Sequence, residues 1–126
     1  MRAVDTNVLV RLIVGDDPIQ AASAESFVEE GAWVSVLTLA DATWKLSRFY
    51  DLSAKDLEKA IKMLLNHRGL TLQDPETVAA ALELFRAKPA LGFLDCLILE
   101  LARKAGHLPL GTFDRNLSKV EGAQKL

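Results

Sequence analysis

The chain has 126 residues, with 15 Lys and Arg against 17 Asp and Glu, and half of its residues are hydrophobic. That length predicts a single domain over residues 1–126, and the net charge of −2 argues against binding nucleic acid through bulk charge alone. No run of about 18 apolar residues is present to span a membrane, and an acid at position five is incompatible with the apolar core of a signal peptide. The single cysteine, Cys96, excludes an internal disulfide framework and favours a reducing cytoplasm.

Short apolar runs alternate with helical patterns along the chain. Gly15 and Gly106 are predicted to stop helices, Pro18 to open one, and Ser53 with Asp56 to form a capping box. The predicted strands are 2–4, 32–36, 70–73, 109–113 and 123–126. The predicted helices are 8–14, 18–31, 38–50, 53–66, 74–88 and 93–105, with a helical turn at 114–117. This alternation predicts an α/β sandwich whose short, mostly parallel sheet is covered on both faces.

Four acids lie either in apolar helix segments, where a carboxylate is costly to desolvate, or at strand ends, where ligands usually bind. Asp5 and Asp114 follow predicted strands, and the carboxyl ends of strands line the ligand crevice of such sheets. Asp41 and Asp95 lie in apolar helix segments, where an uncompensated carboxylate is costly to desolvate. If the four converge, each pair about 5 Å apart repels by roughly 3 kcal/mol at an effective dielectric near 20. The cluster would then take up protons or bind a cation, and an all-oxygen set suits Mg²⁺ or Mn²⁺.

Each acid also has a purely structural interpretation. Asp5 and Asp114 can act as helix caps. Asp41 can pair with Lys45 four residues on. Asp95 has no basic residue three or four positions away on its own helix, so a surface role explains it least well. Cys96 is expected in the core, because Cys-His catalysis needs a nearby histidine.

Four short motifs together resemble the PIN-domain ribonucleases, most closely the VapC toxins of bacterial toxin–antitoxin pairs. They are Val4-Asp5-Thr6-Asn7-Val8-Leu9, Ser35 with an acid six positions on, Phe93-Leu94-Asp95-Cys96-Leu97-Ile98 and Thr112-Phe113-Asp114-Arg115. The resemblance implies a three-layer α/β/α sandwich, an acidic pocket for Mg²⁺ or Mn²⁺, and metal-dependent endonucleolytic hydrolysis of RNA.

By position, the resemblance makes Asp5, Asp41, Asp95 and Asp114 the catalytic metal-site acids. It implies that Thr6, Asn7 and Thr112 support the pocket by hydrogen bonds. Arg11, Lys45, Arg48 and Arg115 flank these acids in sequence and are candidates to receive RNA phosphates.

Two residues depart from the family pattern. The family usually has Glu where Asp41 stands, and the missing methylene shortens the reach by about 1.5 Å. Gly92 stands where relatives often carry a polar or acidic residue, so it can cap a helix but supplies no carboxylate. Both departures bear on activity more than on fold.

The resemblance further implies a cytoplasmic homodimer that is inhibited by a small antitoxin protein. The apolar stretch from Trp44 to Tyr50 is a candidate surface for the partner. Two other functions stay open at this point: a PIN-like module that binds RNA or protein without turnover, and a phosphatase of the haloacid-dehalogenase type. The phosphatase chemistry needs a second Asp at position 7, where this chain has Asn7.

Overall fold

The computed structural model describes residues 1–126. It contains six α-helices, two short 3₁₀-helices and five strands, and every strand pair is parallel. The fold prediction is therefore confirmed as a mixed α/β protein with short parallel sheets, consistent with a PIN-like α/β/α fold. None of the helices combines the length and the apolar character needed to cross a membrane. The chain forms two compact units, Met1–Pro75 and Glu76–Leu126, and the single domain stays a prediction.

The first unit is a three-stranded parallel sheet with four helices. Its strands have the order β1-β2-β3, with Arg2 opposite Ala32 and Trp33 opposite Thr71. In chain order its elements are β1 (Arg2–Ala3), α1 (Thr6–Val14), α2 (Pro18–Val28), β2 (Ala32–Val34), α3 (Val36–Phe49), α4 (Ala54–Asn66) and β3 (Leu70–Leu72). The sheet and helices bury an aliphatic core that includes Leu9, Val28, Val34, Leu46, Ile61 and Leu64.

The second unit contains two helices and a two-stranded parallel sheet. Its elements are α5 (Pro75–Ala87), a 3₁₀-helix (Pro89–Leu91), α6 (Phe93–Ala105), β4 (Leu110–Thr112), a second 3₁₀-helix (Leu117–Lys119) and β5 (Ala123–Lys125). The first residue of α5, Pro75, is the last residue of the first unit. The rings of Phe85 and Phe93 meet edge to face, 6.1 Å apart. Phe93 opens α6 from Gly92, whose φ of +80° lies in the left-handed region that favours glycine.

Several predicted boundaries differ from the structure by one to three residues; for example, α1 begins at Thr6 instead of residue 8, and α2 ends at Val28 instead of residue 31. The strand predicted over 32–36 ends at Val34. The Ser35 hydroxyl oxygen accepts the Thr38 N–H at 3.0 Å and caps α3, which therefore begins at Val36. The first strand ends at Ala3, although the Val4 N–H still donates to the Trp33 carbonyl at 3.1 Å. A helical turn does form at 114–117, where the Ser118 N–H donates to the Asp114 carbonyl at 3.0 Å, and it continues into the 3₁₀-helix Leu117–Lys119.

Candidate active site

Asp5 stands at the end of β1 with its carboxylate free of any capping bond. It occupies the N-cap position of α1, yet its side chain accepts no hydrogen bond from the first turn. The residue is exposed, and the Val4 N–H bond to Trp33 fixes the backbone just before it. The capping interpretation is therefore wrong for Asp5, and both carboxylate oxygens are available to a ligand.

The Asp41 side chain is hydrogen-bonded to the first residue of α1, which follows β1. The Thr6 hydroxyl donates to Asp41 Oδ2 at 2.7 Å, and Lys45 Nζ lies 3.5 Å from the same oxygen. The Thr6 hydrogen bond lowers the pKa of Asp41, and the positive charge of Lys45 lowers it further. The ion pair expected from the i, i+4 spacing is thus present. The Thr6 bond, which links α3 to the residue after Asp5, is the part that sequence spacing did not reveal.

Asp95 is a carboxylate without a compensating cation. It lies in the first turn of α6 and is partly buried, and no ion pair or side-chain hydrogen bond engages its carboxylate. Burial raises the pKa of Asp95, and the negative charge of Asp114 raises it further. The two acids of the second unit are therefore close enough to repel each other, although the helix N-terminus favours a negative charge at this position.

Asp114 is held in place by the turn after β4. Its N–H donates to Thr112 Oγ1 at 3.0 Å, and its Oδ1 accepts the Leu117 N–H at 2.9 Å. The capping interpretation of Asp114 is therefore right for one oxygen, Oδ1. The carboxylate is exposed and Oδ2 makes no hydrogen bond, so the same residue can cap the turn and offer an oxygen to a cation.

Each unit contains two of the four acids. In the first unit, Asp41 is hydrogen-bonded to Thr6, the residue that follows Asp5. In the second unit, Asp95 and Asp114 form a pair whose charges repel. No group of three or more His, Cys, Asp or Glu is placed to hold a metal ion, so the convergence of all four stays a prediction. The donor chemistry nevertheless fits a hard divalent cation, because unshared carboxylate oxygens are what Mg²⁺ and Mn²⁺ prefer.

The four candidate phosphate-binding side chains differ in whether they already make hydrogen bonds or ion pairs within the protein. Arg11 donates through Nε to Gln20 Oε1 at 2.7 Å and through an η nitrogen to Asp16 at 2.6 Å. Lys45 is paired with Asp41. Arg48 and Arg115 are exposed and make no ion pair. A role in RNA binding stays a prediction for all four, and the two exposed arginines are the freest to fulfil it.

Two further residues bear on the chemistry. Asn7 is exposed and its side chain makes no hydrogen bond, so its supporting role stays a prediction. Cys96 is fully buried, and burial, with smaller contributions from Asp95 and Glu100, raises the pKa of its thiol to about 12. The expectation that Cys96 belongs to the core is confirmed, and no thiolate nucleophile exists at neutral pH.

A cleft of about 260 Å³ opens beside Asp5, between α1 and α2. Its lining residues are Asp5, Asn7, Val8, Arg11, Gln20, Ser23, Ala24 and Phe27. The residues from α2 were missed by sequence reasoning, because Gln20 and Ser23 look like the solvated side of a surface helix. The packing of α2 against α1 places them beside an acid that is far away in the sequence.

Comparison with protein families gives one match over nearly the whole chain. The family model, described as PIN domain, matches residues 2–123. No curated protein and no solved structure matches the chain. The match runs through all four acids and through both compact units.

Proposed function

The chain belongs to the PIN-domain family, whose members are generally nucleases that use divalent metal ions, and on that premise we propose that it is a Mg²⁺- or Mn²⁺-dependent endoribonuclease acting as the toxin of a toxin–antitoxin pair. The observation that carries the proposal is Asp95, a partly buried carboxylate that makes no ion pair and lies near a second acid, Asp114. Asp95 is held partly buried beside Asp114 at a cost to its ionised form. A bound cation would offset this cost, because a nearby positive charge stabilises the ionised carboxylate.

The residues divide the work as follows. Asp5, Asp95 and Asp114 would hold the metal ion in this proposal, and Asp41, which is oriented by its hydrogen bond from Thr6, would be the fourth acid. When bound, the ion supplies a positive charge that polarises the scissile phosphodiester and activates water. Arg48 and Arg115 receive neighbouring phosphates of the RNA.

Hydrolysis by water needs no covalent intermediate on the protein. The attacking water adds to phosphorus, the bond to the 3′ oxygen breaks, and the products carry a 5′-phosphate and a 3′-hydroxyl. The buried Cys96, with its pKa raised to about 12, is unsuited to act as a nucleophile. The PIN family match gives no support to a phosphatase of the haloacid-dehalogenase type, which forms an aspartyl intermediate.

RNA cleavage by the purified protein tests the proposal directly. Structured and single-stranded RNAs are incubated with Mg²⁺ or Mn²⁺, with EDTA, and with the Asp5→Asn variant. Asp51→Asn is the matched control, because Asp51 is exposed and its φ of +52° is one that asparagine tolerates. Metal-dependent cleavage that is lost in Asp5→Asn and kept in Asp51→Asn supports the proposal. Cleavage that persists in Asp5→Asn or in EDTA contradicts it, and binding of RNA without turnover favours the non-catalytic module.

The homodimer and the antitoxin form a second part of the proposal. Leu37, Trp44 and Phe49 are exposed on α3, and the last two rings meet edge to face at 5.5 Å. Exposed aromatic side chains of this size favour a protein-protein contact. Light scattering of the wild type and of Trp44→Ser tests the dimer, with Trp33→Ser as the control. Inhibition of cleavage by the protein encoded beside this gene tests the antitoxin.

A further inference from the structure

The cleft beside Asp5 is large enough for a small organic group. Its volume is about 260 Å³, just below the range of about 300–1,000 Å³ that is typical of pockets for drug-sized ligands. It lies between α1 and α2, and Asp5 forms part of its wall. Whatever occupies the cleft therefore lies next to one of the acids that the proposed function assigns to the metal site.

The cleft carries no free positive charge. Its only cation, Arg11, is bound by Asp16 and Gln20, and a hydrogen bond with Tyr50 and the negative charge of Asp16 raise its pKa. A phosphate group would find its cation already engaged and Asp5 repelling it. The cleft thus favours an uncharged occupant.

The walls are chemically suited to a nucleobase. Val8, Ala24 and Phe27 supply apolar and aromatic surface, while Asn7, Gln20 and Ser23 supply hydrogen-bonding groups. Amide side chains recognise base edges by paired donors and acceptors, and unstacked bases of single-stranded RNA dock on aromatic side chains.

Two of these groups are fixed before any ligand arrives. Arg11 Nε donates to Gln20 Oε1 at 2.7 Å, which leaves the Gln20 amide N–H groups to donate elsewhere. The Arg2 guanidinium lies 3.8 Å from the centre of the Phe27 ring and also donates to the Phe27 carbonyl at 2.9 Å. Because the Gln20 oxygen is already hydrogen-bonded and the Phe27 ring is in contact with Arg2, both side chains are positioned before a ligand binds.

We infer that this cleft binds one unpaired nucleobase of the RNA, adjacent to the phosphodiester that is cleaved, and that Gln20 selects the base. The inference rests on the proposed ribonuclease function and adds to it the origin of sequence preference. Arg11 is then a positioning residue, which acts on the base only through the Gln20 amide.

Cleavage of a randomised single-stranded RNA pool tests the inference when the wild type is active. Sequencing of the products is expected to show a preference of tenfold or more for one base at one position beside the cut. Gln20→Leu is expected to reduce that preference to about twofold, and Ser23→Phe to reduce cleavage of the preferred substrate by blocking the cleft. The controls are Gln124→Leu, an exposed glutamine of β5, and Ser26→Phe, an exposed serine of α2 that lies outside the cleft.

Photocrosslinking in EDTA keeps the inference testable if no RNA is cleaved. RNA containing photoreactive bases is irradiated with the protein, and the adducts are mapped by mass spectrometry. Adducts on Phe27 or its neighbours in α2 that Ser23→Phe removes and Ser26→Phe retains support the base site even if the nuclease proposal fails. Adducts only outside the cleft, or a base preference unchanged in Gln20→Leu, overturn the inference and leave the nuclease proposal standing. A cleft that binds a polypeptide would give this second outcome.

Discussion

The two compact units treat their candidate metal acids in opposite ways. In Met1–Pro75, the Thr6 hydroxyl and the Lys45 ammonium both stabilise ionised Asp41 and lower its pKa. In Glu76–Leu126, burial and the charge of Asp114 both disfavour ionised Asp95 and raise its pKa. The first unit thus satisfies its carboxylate with its own side chains, whereas the second leaves one to be satisfied from outside. We therefore expect the ionised state of the Asp95 and Asp114 pair to depend most strongly on a bound cation.

Replacement of Asp95 should have the largest effect on activity. Loss of groups that merely support a metal ligand typically costs about 10–100-fold, so we expect Asp95→Asn to reduce metal-dependent RNA cleavage by about a hundredfold or more. The rate of cleavage at saturating Mn²⁺ measures the effect against the Asp51→Asn control. An Asp95→Asn variant that cleaves at the wild-type rate would remove the second unit from the metal site.

Loss of the Thr6 hydroxyl should have a smaller effect. Thr6→Val keeps the shape of the side chain but removes the 2.7 Å bond to Asp41, so Asp41 is no longer held beside the turn after β1. We expect cleavage to fall by about tenfold, within the range for supporting groups, and Thr6→Ser to restore it. If Thr6→Val and Thr6→Ser were equally impaired, the β-carbon packing rather than the hydroxyl would be responsible.

Metal addition should raise thermal stability mainly through the second pair. A ligand at about 100 times its Kd stabilises a protein by about 2.7 kcal/mol, which corresponds to a rise in Tm of about 10 °C for a chain of this size. Calorimetry with Mn²⁺ is expected to show this rise in the wild type and to lose it in Asp95→Asn and Asp114→Asn. Asp51→Asn serves as the control, since it removes an exposed carboxylate that is not among the proposed metal ligands, and it should retain the rise.

The pH dependence of stability in EDTA should give the smallest effect, with opposite signs in the two units. The pKa of Asp95 is raised in the folded state, so its contribution is fully favourable below the unfolded pKa and is lost as the pH rises through the folded value. Asp95→Asn should therefore melt at a higher temperature than the wild type near pH 7, and the difference should vanish near about pH 3.

Asp41 should behave in the reverse manner. Its pKa is lowered in the folded state, so its stabilisation is present above the unfolded pKa and is lost as the pH falls through the folded value. Asp41→Asn should melt lower than wild type near neutral pH and approach it in acid. Thermal unfolding of the two variants from about pH 3 to 7 measures both signs, and equal signs would contradict the contrast between the units.

Most of the fold could be predicted from local pattern. Helices α4 and α6 begin and end within a residue of the predicted bounds, because capping serines, stop glycines and apolar periodicity are local signals. The strand predicted over 32–36 was two residues too long, because Val34-Ser35-Val36 has the alternating pattern of a strand, whereas the Ser35 hydroxyl in fact accepts the Thr38 N–H and caps α3. The four acids were found from their positions at strand ends and in apolar helix segments, and the resemblance then assigned them to one metal site, but neither could reveal their hydrogen-bond partners.

The sequence by itself determined the alternation of strands and helices, the membership of the PIN family and the positions of Asp5, Asp41, Asp95 and Asp114. Those properties depend on residue type and spacing along the chain. Only the tertiary structure decided that Asp5 is free of its cap, that Thr6 binds Asp41, that Asp114 opposes Asp95, and that Gln20 and Phe27 line a cleft beside Asp5. Each of those contacts joins groups that are brought together by packing, and hydrogen bonds and charges act over a few ångströms of space rather than along the sequence.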